Sequence, residues 1–285
     1  MIQSFRQLKD RIKSIEGTRK ITHAMELVSG AKLNRTKSVF LASKPYLVNM
    51  ERVFFNLISD IAPVAHPLFE TRVQKHPVAL MVFSSDAGLC STYNHAIIRF
   101  AEEFAERTGR ENLKIITVGK EAFSYFRKKG YRIENSYVGI RGKFSENLAA
   151  DIAKTLTDIF LKKEAAEVYV AYTSFSPRLR HAPTIEKFLP LAYEKKERQY
   201  YILEPGRDTL VDELSAKYLL CKARFIILSS LTSEHSSRML AMKLATDNAD
   251  ELIETLTLQK NKARQFAITK EVLEIAMSAE ALRSA

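Results

Sequence analysis

No stretch of this sequence approaches the roughly 20 apolar residues that a bilayer-spanning helix needs. Val78-Ala79-Leu80-Met81-Val82-Phe83 is about its longest apolar run. A spanning segment is thereby excluded. The first residues, Met1-Ile2-Gln3-Ser4-Phe5-Arg6, carry no apolar signal core and read as the start of a helix. A chain that is soluble, or peripheral to a membrane, is expected. Cysteine is scarce: Cys90 and Cys221 lie 131 positions apart, which is neither a disulfide framework nor a metal-ligand spacing, and suits a reducing compartment. Acidic residues are in deficit. Against 44 Lys and Arg there are 33 Asp and Glu, a net charge of +11, so an acidic partner is expected: nucleic acid, anionic lipid or another protein. The surplus is uneven, with ten basic and three acidic residues in 1–50 but eleven of each in 207–285.

Glycine and proline are missing from the last 79 residues, although nine Gly and eight Pro occur between Gly17 and Gly206. Without breakers, residues 207–285 are free to form one helix of about 115 Å at ~1.5 Å per residue, which needs a partner along its length. Leu210, Leu214, Tyr218, Cys221, Phe225 and Leu228 supply a stripe at alternating steps of four and three. After a polar patch around Ser233 it resumes at His235, Met239, Met242, Ala245, Ala249, Leu252 and Leu256. The matching partner lies at the other end of the chain: Phe5, Leu8, Ile12 and Ile15, then Leu47, Met50, Phe54, Leu57 and Ile61. Residues 1–62 therefore read as a second long helix, with bending or weakening expected at Gly17, Gly30 and Pro45.

Residues 75–206 have a different pattern. The apolar runs 78–84, 114–119 and 167–175 read as strands, and 94–107, 120–129 and 145–163 as helices, which predicts an open α/β sheet with right-handed crossovers. Residues 183–190 and 199–204 are candidate late or edge strands. The expected architecture is α/β: two long terminal helices, 1–62 and 207–285, in an antiparallel coiled coil, with a Rossmann-like open α/β domain inserted between them.

Candidate chemistry is sparse. Ser84-Ser85-Asp86-Ala87-Gly88-Leu89-Cys90 follows the first strand, the place where doubly wound sheets bind ligands, yet its spacing fits no dinucleotide fingerprint. No GxxxxGK[ST] phosphate loop exists, and Gly139-Ile140-Arg141-Gly142-Lys143 reads as a turn. Cys90 as a nucleophile lacks an assignable base, and the six His form no ligand pair, so neither a catalytic residue nor a metal or cofactor is expected. Lys260, Lys262, Arg264 and Lys270 read as a solvated face or as a docking patch for acidic loops. A basic coiled-coil protein binding nucleic acid remains the alternative, with binding that collapses steeply in salt.

Three blocks resemble one family, the gamma subunit of F-type ATP synthase. They are Ile12-Lys-Ser-Ile-Glu-Gly-Thr-Arg-Lys-Ile-Thr-His-Ala-Met-Glu-Leu-Val28, Ser84-Ser-Asp-Ala-Gly-Leu-Cys-Ser-Thr-Tyr-Asn94, and the run from Ser233 to Asn248 followed by Asn261-Lys-Ala-Arg-Gln265 and Ile268-Thr-Lys-Glu271. The resemblance covers residue 5 to the C-terminus. It implies a non-catalytic rotor shaft that couples proton-driven turning of a membrane c-ring to the conformational cycle of catalytic beta subunits. The implied partners are a ring of three alpha and three beta subunits, epsilon and the c-ring, with no nucleic acid and no membrane span. The implied location is the cytoplasmic face of a bacterial plasma membrane. By the same resemblance, Lys20 and Met25 face beta, Arg264 and Gln265 bind an acidic loop of beta, and Ile268, Val272, Leu273, Ile275 and Met277 form the tip in an apolar collar. Tyr201 and Glu204 lie near the c-ring loops. This sequence departs from the family pattern at Ala87, where an Arg is usual, at Ser91-Thr92, where Gly-Gly is usual, and at Ala276-Met-Ser-Ala279, where a Gly pair is common. The insertion that carries a regulatory cysteine pair in chloroplast members is absent, so thiol regulation is not expected.

Overall fold

The structure is a computed structural model that describes residues 5–61, 66–72, 77–176, 182–192, 204 and 206–283. Helix α1 (Phe5–Ile61) opens the chain and helix α5 (Arg207–Arg283) closes it. The chain divides into two compact units, Ser29–Arg238 and the pair Met1–Val28 with Met239–Ala285.

In the larger unit, α1 buries Ser29, Leu33, Thr36, Phe40, Leu47, Phe54 and Leu57, with Ser43 and Met50 half-buried between them. Leu33, Phe40, Leu47 and Phe54 are one heptad apart, so a single stripe stays turned inward. Phe40 packs on Phe225 at 5.0 Å and edge-on to Phe175 at 5.4 Å, while Phe54 stacks on Tyr218 at 4.8 Å. Rising numbers on α1 meet falling numbers on α5, which makes the pair antiparallel. Pro45 leaves α1 unbroken. It is exposed, so water can satisfy the carbonyl that loses its donor.

Between the helices run β1 (Val78–Phe83), α2 (Tyr93–Thr108), β2 (Leu113–Val118), α3 (Lys120–Lys128), β3 (Ile133–Tyr137), α4 (Glu146–Leu161), β4 (Glu167–Ser174) and β5 (Ala182–Leu189). The sheet order is β3-β2-β1-β4-β5; the first four strands are parallel and β5 pairs antiparallel on β4. Alternation along β1 sorts the two faces. Ala79, Met81 and Phe83 join a core with Phe54, Ile152, Phe160 and Ile227, whereas Leu80 and Val82 join one with Ile97, Ala101 and Phe126. The sheet is thus covered on both sides, which is why its central strands are apolar throughout.

The strand β3 has no counterpart in the sequence reading. It is a polar edge strand, and it pairs with β2 across a register shift between Ile115 and Ile116. Residues 183–190 do form an edge strand, as β5. The other candidate, 199–204, lies outside the described residues apart from Glu204.

In the smaller unit, Leu8 and Ile12 bury against Leu256, with Ile15, Ile253 and Ala263 at the margins. Arg19 pairs with Asp250 at 2.7 Å, and the Thr246 hydroxyl donates to Thr22 Oγ1 at 2.8 Å. This segment is antiparallel too. Its seam on α5 is Met242, Thr246, Ala249, Ile253 and Leu256, which corrects the expected stripe at two positions: Leu252 is exposed and Ala245 only half-buried. Both phases alternate threes and fours. The hydroxyl contact at Thr246 and the packing of Ile253 favour this one. Phe5, expected in the seam, is exposed in the first turn of α1.

Candidate functional site

In a doubly wound sheet, ligands enter outside the carboxyl ends of the strands where the strand order reverses, here between β1 and β4. That place is already filled by α5. Ser229 Oγ accepts the Phe175 N–H at 2.8 Å, Ser230 Oγ lies 2.8 Å from the Tyr93 hydroxyl, and Ser233 Oγ donates to Thr173 O at 3.2 Å. Residues 226–236 of α5 are buried on every side, and the polar patch that interrupts the apolar stripe is the plug itself. A space of only about 10 Å³ is left among Ser84, Asp86, Gly119, Ser230 and Glu234, about the room of one water.

The loop after β1 is braced from the other side. Asp86 accepts N–H bonds from Lys120, Gly139 and Arg141, and the Ser84 hydroxyl accepts from Ala122 N and donates to Val118 O. Gly119 sits at φ +93, and any Cβ there would collide with the Ser84 carbonyl. Arg238 ties the loop to α5: its guanidinium donates to Ala87 O at 2.8 Å and Gly88 O at 3.3 Å and pairs with Glu234 at 2.7 Å. Cys90 is buried, and burial pushes its thiol up from its ordinary pKa, opposite to what a nucleophile needs. Among the described residues, no group of three or more His, Cys, Asp or Glu could hold a metal ion, and no helix is long and apolar enough to cross a membrane.

His235 lies in the plug with Nε2 2.9 Å from Gly142 O, so the neutral ring carries its proton on Nε2. Nδ1 is buried and lacks a hydrogen-bond partner among the described residues. Burial lowers the pKa of His235 to about 4. The unfolded chain binds this proton near 6.5, so the stability contribution is complete above pH 6.5 and is lost as pH falls toward 4. Glu234 acts oppositely: burial raises its pKa, so its cost is relieved in acid. We expect urea midpoints of the wild type and His235→Gln to diverge between pH 7.5 and 5. The histidine contributes a loss of about 2 kcal/mol from pH 6.5 to 5 that the variant lacks. Equal acid sensitivity in both would show that His235 titrates freely.

The residues singled out from the sequence for partner contact lie on exposed helix faces. Lys20 is exposed and Met25 half-buried on α1, while Arg264 and Gln265 are exposed on α5. They do not form one cluster. The seam pairs residue 19 with 250 and 22 with 246, whereas Arg264 and Gln265 follow Ala263, the last partly buried residue of α5 among those whose burial is described. From Arg264 through Ala279 every side chain is exposed, among them Ile268, Val272, Leu273, Ile275 and Met277 at 50–66%. Glu204 is exposed, and Tyr201 lies outside the described residues. The sequence reading passed over Phe266 and Leu282, exposed at 63% and 81%, although both are large apolar residues in the same segment.

A family model described as ATP synthase matches residues 4–282. The ATP synthase gamma chain of Geotalea uraniireducens is 37% identical over 286 residues, covering 98% of this chain and 99% of its own. That of Fusobacterium nucleatum is 34% identical over 278 residues, 97% and 99%. Among solved structures, a chain of the Euglena gracilis mitochondrial ATP synthase (OSCP/F1/c-ring) superposes with a TM-score of 0.69 at 15% identity, covering 98% of this chain and 95% of that one. At that identity the likeness speaks for the fold.

Proposed function

The chain belongs to the ATP synthase gamma-chain family and takes the central-stalk role in the F-type enzyme; on that premise we propose that it works as a rotor shaft without catalytic residues of its own. The observation that carries this reading is the end of α5. At about 100° per residue, Ile268, Val272 and Ile275 fall on one side of the helix and Phe266, Leu273 and Met277 on the opposite side. A two-helix seam needs one apolar stripe, whereas a helix that is apolar on opposite faces is one that becomes surrounded. A ring of alpha and beta subunits supplies such a collar.

In this reading α1 and α5 form the shaft, residues 75–206 the foot, and Glu204 with Tyr201 face the c-ring. Arg264 and Gln265 offer charge-assisted and neutral hydrogen bonds to an acidic loop of beta, and Lys20 and Met25 offer a second contact on α1. Epsilon binds the foot. The bacterial sources of the relatives favour the cytoplasmic face of the plasma membrane, with the chain attached through its complex. Moving one charge through 100 mV yields about 2.3 kcal/mol, so several ions are pooled for each ATP, and a stiff helix pair stores the intermediate steps.

The test is ATPase activity of matched alpha and beta subunits reconstituted with this chain or with Arg264→Ala plus Gln265→Ala. We expect the wild type to give an active complex that withstands moderate salt, and the double variant to assemble but turn over at least ~10-fold more slowly, the equivalent of about 1.4 kcal/mol. Failure of the wild-type chain to assemble with matched subunits would remove the shaft reading. Assembly with undiminished turnover in the variant would remove the role of the two residues.

A further inference from the structure

At the amino-terminal edge of the sheet, opposite the edge that α5 plugs, a cavity of about 410 Å³ opens beside the starts of β1 and β4 and the end of α2. Its size falls in the range of small-molecule sites, roughly 300–1,000 Å³. Two arginines are among its lining residues, Arg72 and Arg107. The Arg72 side chain is only 7% exposed. Its cation lies 4.1 Å from the centre of the Phe160 ring, its Nη1 donates to the carbonyls of Phe160 and Ala165, and its Nε is buried without a hydrogen-bond partner. The carboxylate that approaches it is Glu70, at 3.6 Å and mostly in solvent. A charge buried this deeply is normally paired. Arg107 makes one side-chain hydrogen bond among the described residues, from Nε to Glu103 O, and pairs with no carboxylate there.

Apart from Glu70, the described lining residues offer this positive charge little compensation. Glu167, the one carboxylate among the described lining residues, is engaged on both oxygens, by Lys187 Nζ at 2.6 Å and by the Tyr169 hydroxyl at 2.9 Å. Near the end of α2, Glu103 O accepts from Arg107 Nε, Phe104 O from the Thr108 hydroxyl, and Ala105 O from Gly109 N. Asn112 and Thr108 add neutral polar groups to the same wall.

We infer that this cavity binds a phosphoryl group, either free phosphate or a phosphate monoester, held between the guanidinium groups of Arg72 and Arg107. Planar guanidinium groups are the side chains that match such an oxyanion with paired hydrogen bonds. The inference stands apart from the rotor role, because it uses no residue assigned to partner contact.

The test is calorimetric titration of the full chain with inorganic phosphate and, separately, with glycerol phosphate. We expect a dissociation constant on the order of 1 mM or tighter. Tighter binding of the ester identifies an organic phosphate as the ligand, and equal binding identifies the free ion; either supports the site. Arg107 is exposed, so Arg107→Gln should keep the wild-type circular dichroism spectrum, and it should weaken binding at least ~10-fold. Arg72→Gln should do the same where it folds. Lys128→Gln, an exposed lysine on α3, controls for the chain's general positive charge and should leave binding unchanged. Absence of binding, an Arg107→Gln chain that binds like the wild type, or a Lys128→Gln chain that loses as much as Arg107→Gln would each overturn the inference.

Discussion

Arg238→Ala is expected to destabilise the unit Ser29–Arg238 by about 3 kcal/mol, within the range seen when one partner of a buried ion pair is removed. The reason is what it leaves behind. Glu234 is only 4% exposed and pairs with Arg238 at 2.7 Å, and the same guanidinium closes the carbonyls of Ala87 and Gly88. Truncation leaves a buried carboxylate without its cation and two loop carbonyls without their donor. Burial already raises the pKa of Glu234, and without the cation it rises further. A carboxyl whose folded pKa is raised costs stability in full above that pKa and sheds the cost as pH falls toward its ordinary value of 4.5, so the variant should approach the wild type as pH falls. Glu234→Gln combined with Arg238→Met removes both charges and should lose less than Arg238→Ala alone. Urea unfolding, with hydrogen exchange read at β1 and β2, measures this. A loss under about 1 kcal/mol at pH 7 would mean that the pair is solvated and does not seal the sheet.

That network also marks where sequence reading was blind. Counting apolar residues treats the stretch around Ser233 as a gap in a seam, yet it is the most deeply buried part of α5. Its serines, Glu234 and His235 satisfy strand ends and loop carbonyls, and burial of polar side chains leaves no periodic trace. The two ends of the α1 stripe were legible because Leu8 and Ile12, then Leu47, Met50, Phe54 and Leu57, keep steps of three and four, whereas its buried middle, Leu33 and Phe40, was hidden by the expected interruption at Gly30 and Pro45. The choice of Ile253 over Leu252 was not legible, since both phases are apolar and only the facing Thr22 and Ile15 distinguish them. The strand β3 was missed because Ile133-Glu134-Asn135-Ser136-Tyr137 is held by edge pairing to β2 and has little apolar surface to announce it. Within the candidate site, the apolar end of α5 was read through family resemblance. Phe266 and Leu282 were passed over because the matching motifs do not include them.

The second large effect belongs to that helix end. Ile275→Glu and Met277→Glu place a carboxylate on opposite sides of α5, at residues 64% and 66% exposed. The free chain should not register either change, because exposed substitutions away from special features stay within about ±0.5 kcal/mol. In the assembled complex both should be severe. Each loses the burial of a large apolar side chain, about 1.5–3 kcal/mol, and adds the cost of a desolvated charge. We therefore expect each variant alone to reduce assembly or turnover of the reconstituted complex by at least ~100-fold, corresponding to about 2.8 kcal/mol. The comparison between the two carries the argument. A collar surrounds the helix and penalises both faces, while a single docked partner penalises one and leaves the other in water. If only one variant fails, α5 lies in a groove and the shaft reading must be redrawn around that face. If both fail while the chain's own unfolding curve is unchanged, the exposed apolar residues beyond Ala263 are kept for the ring and not for the fold.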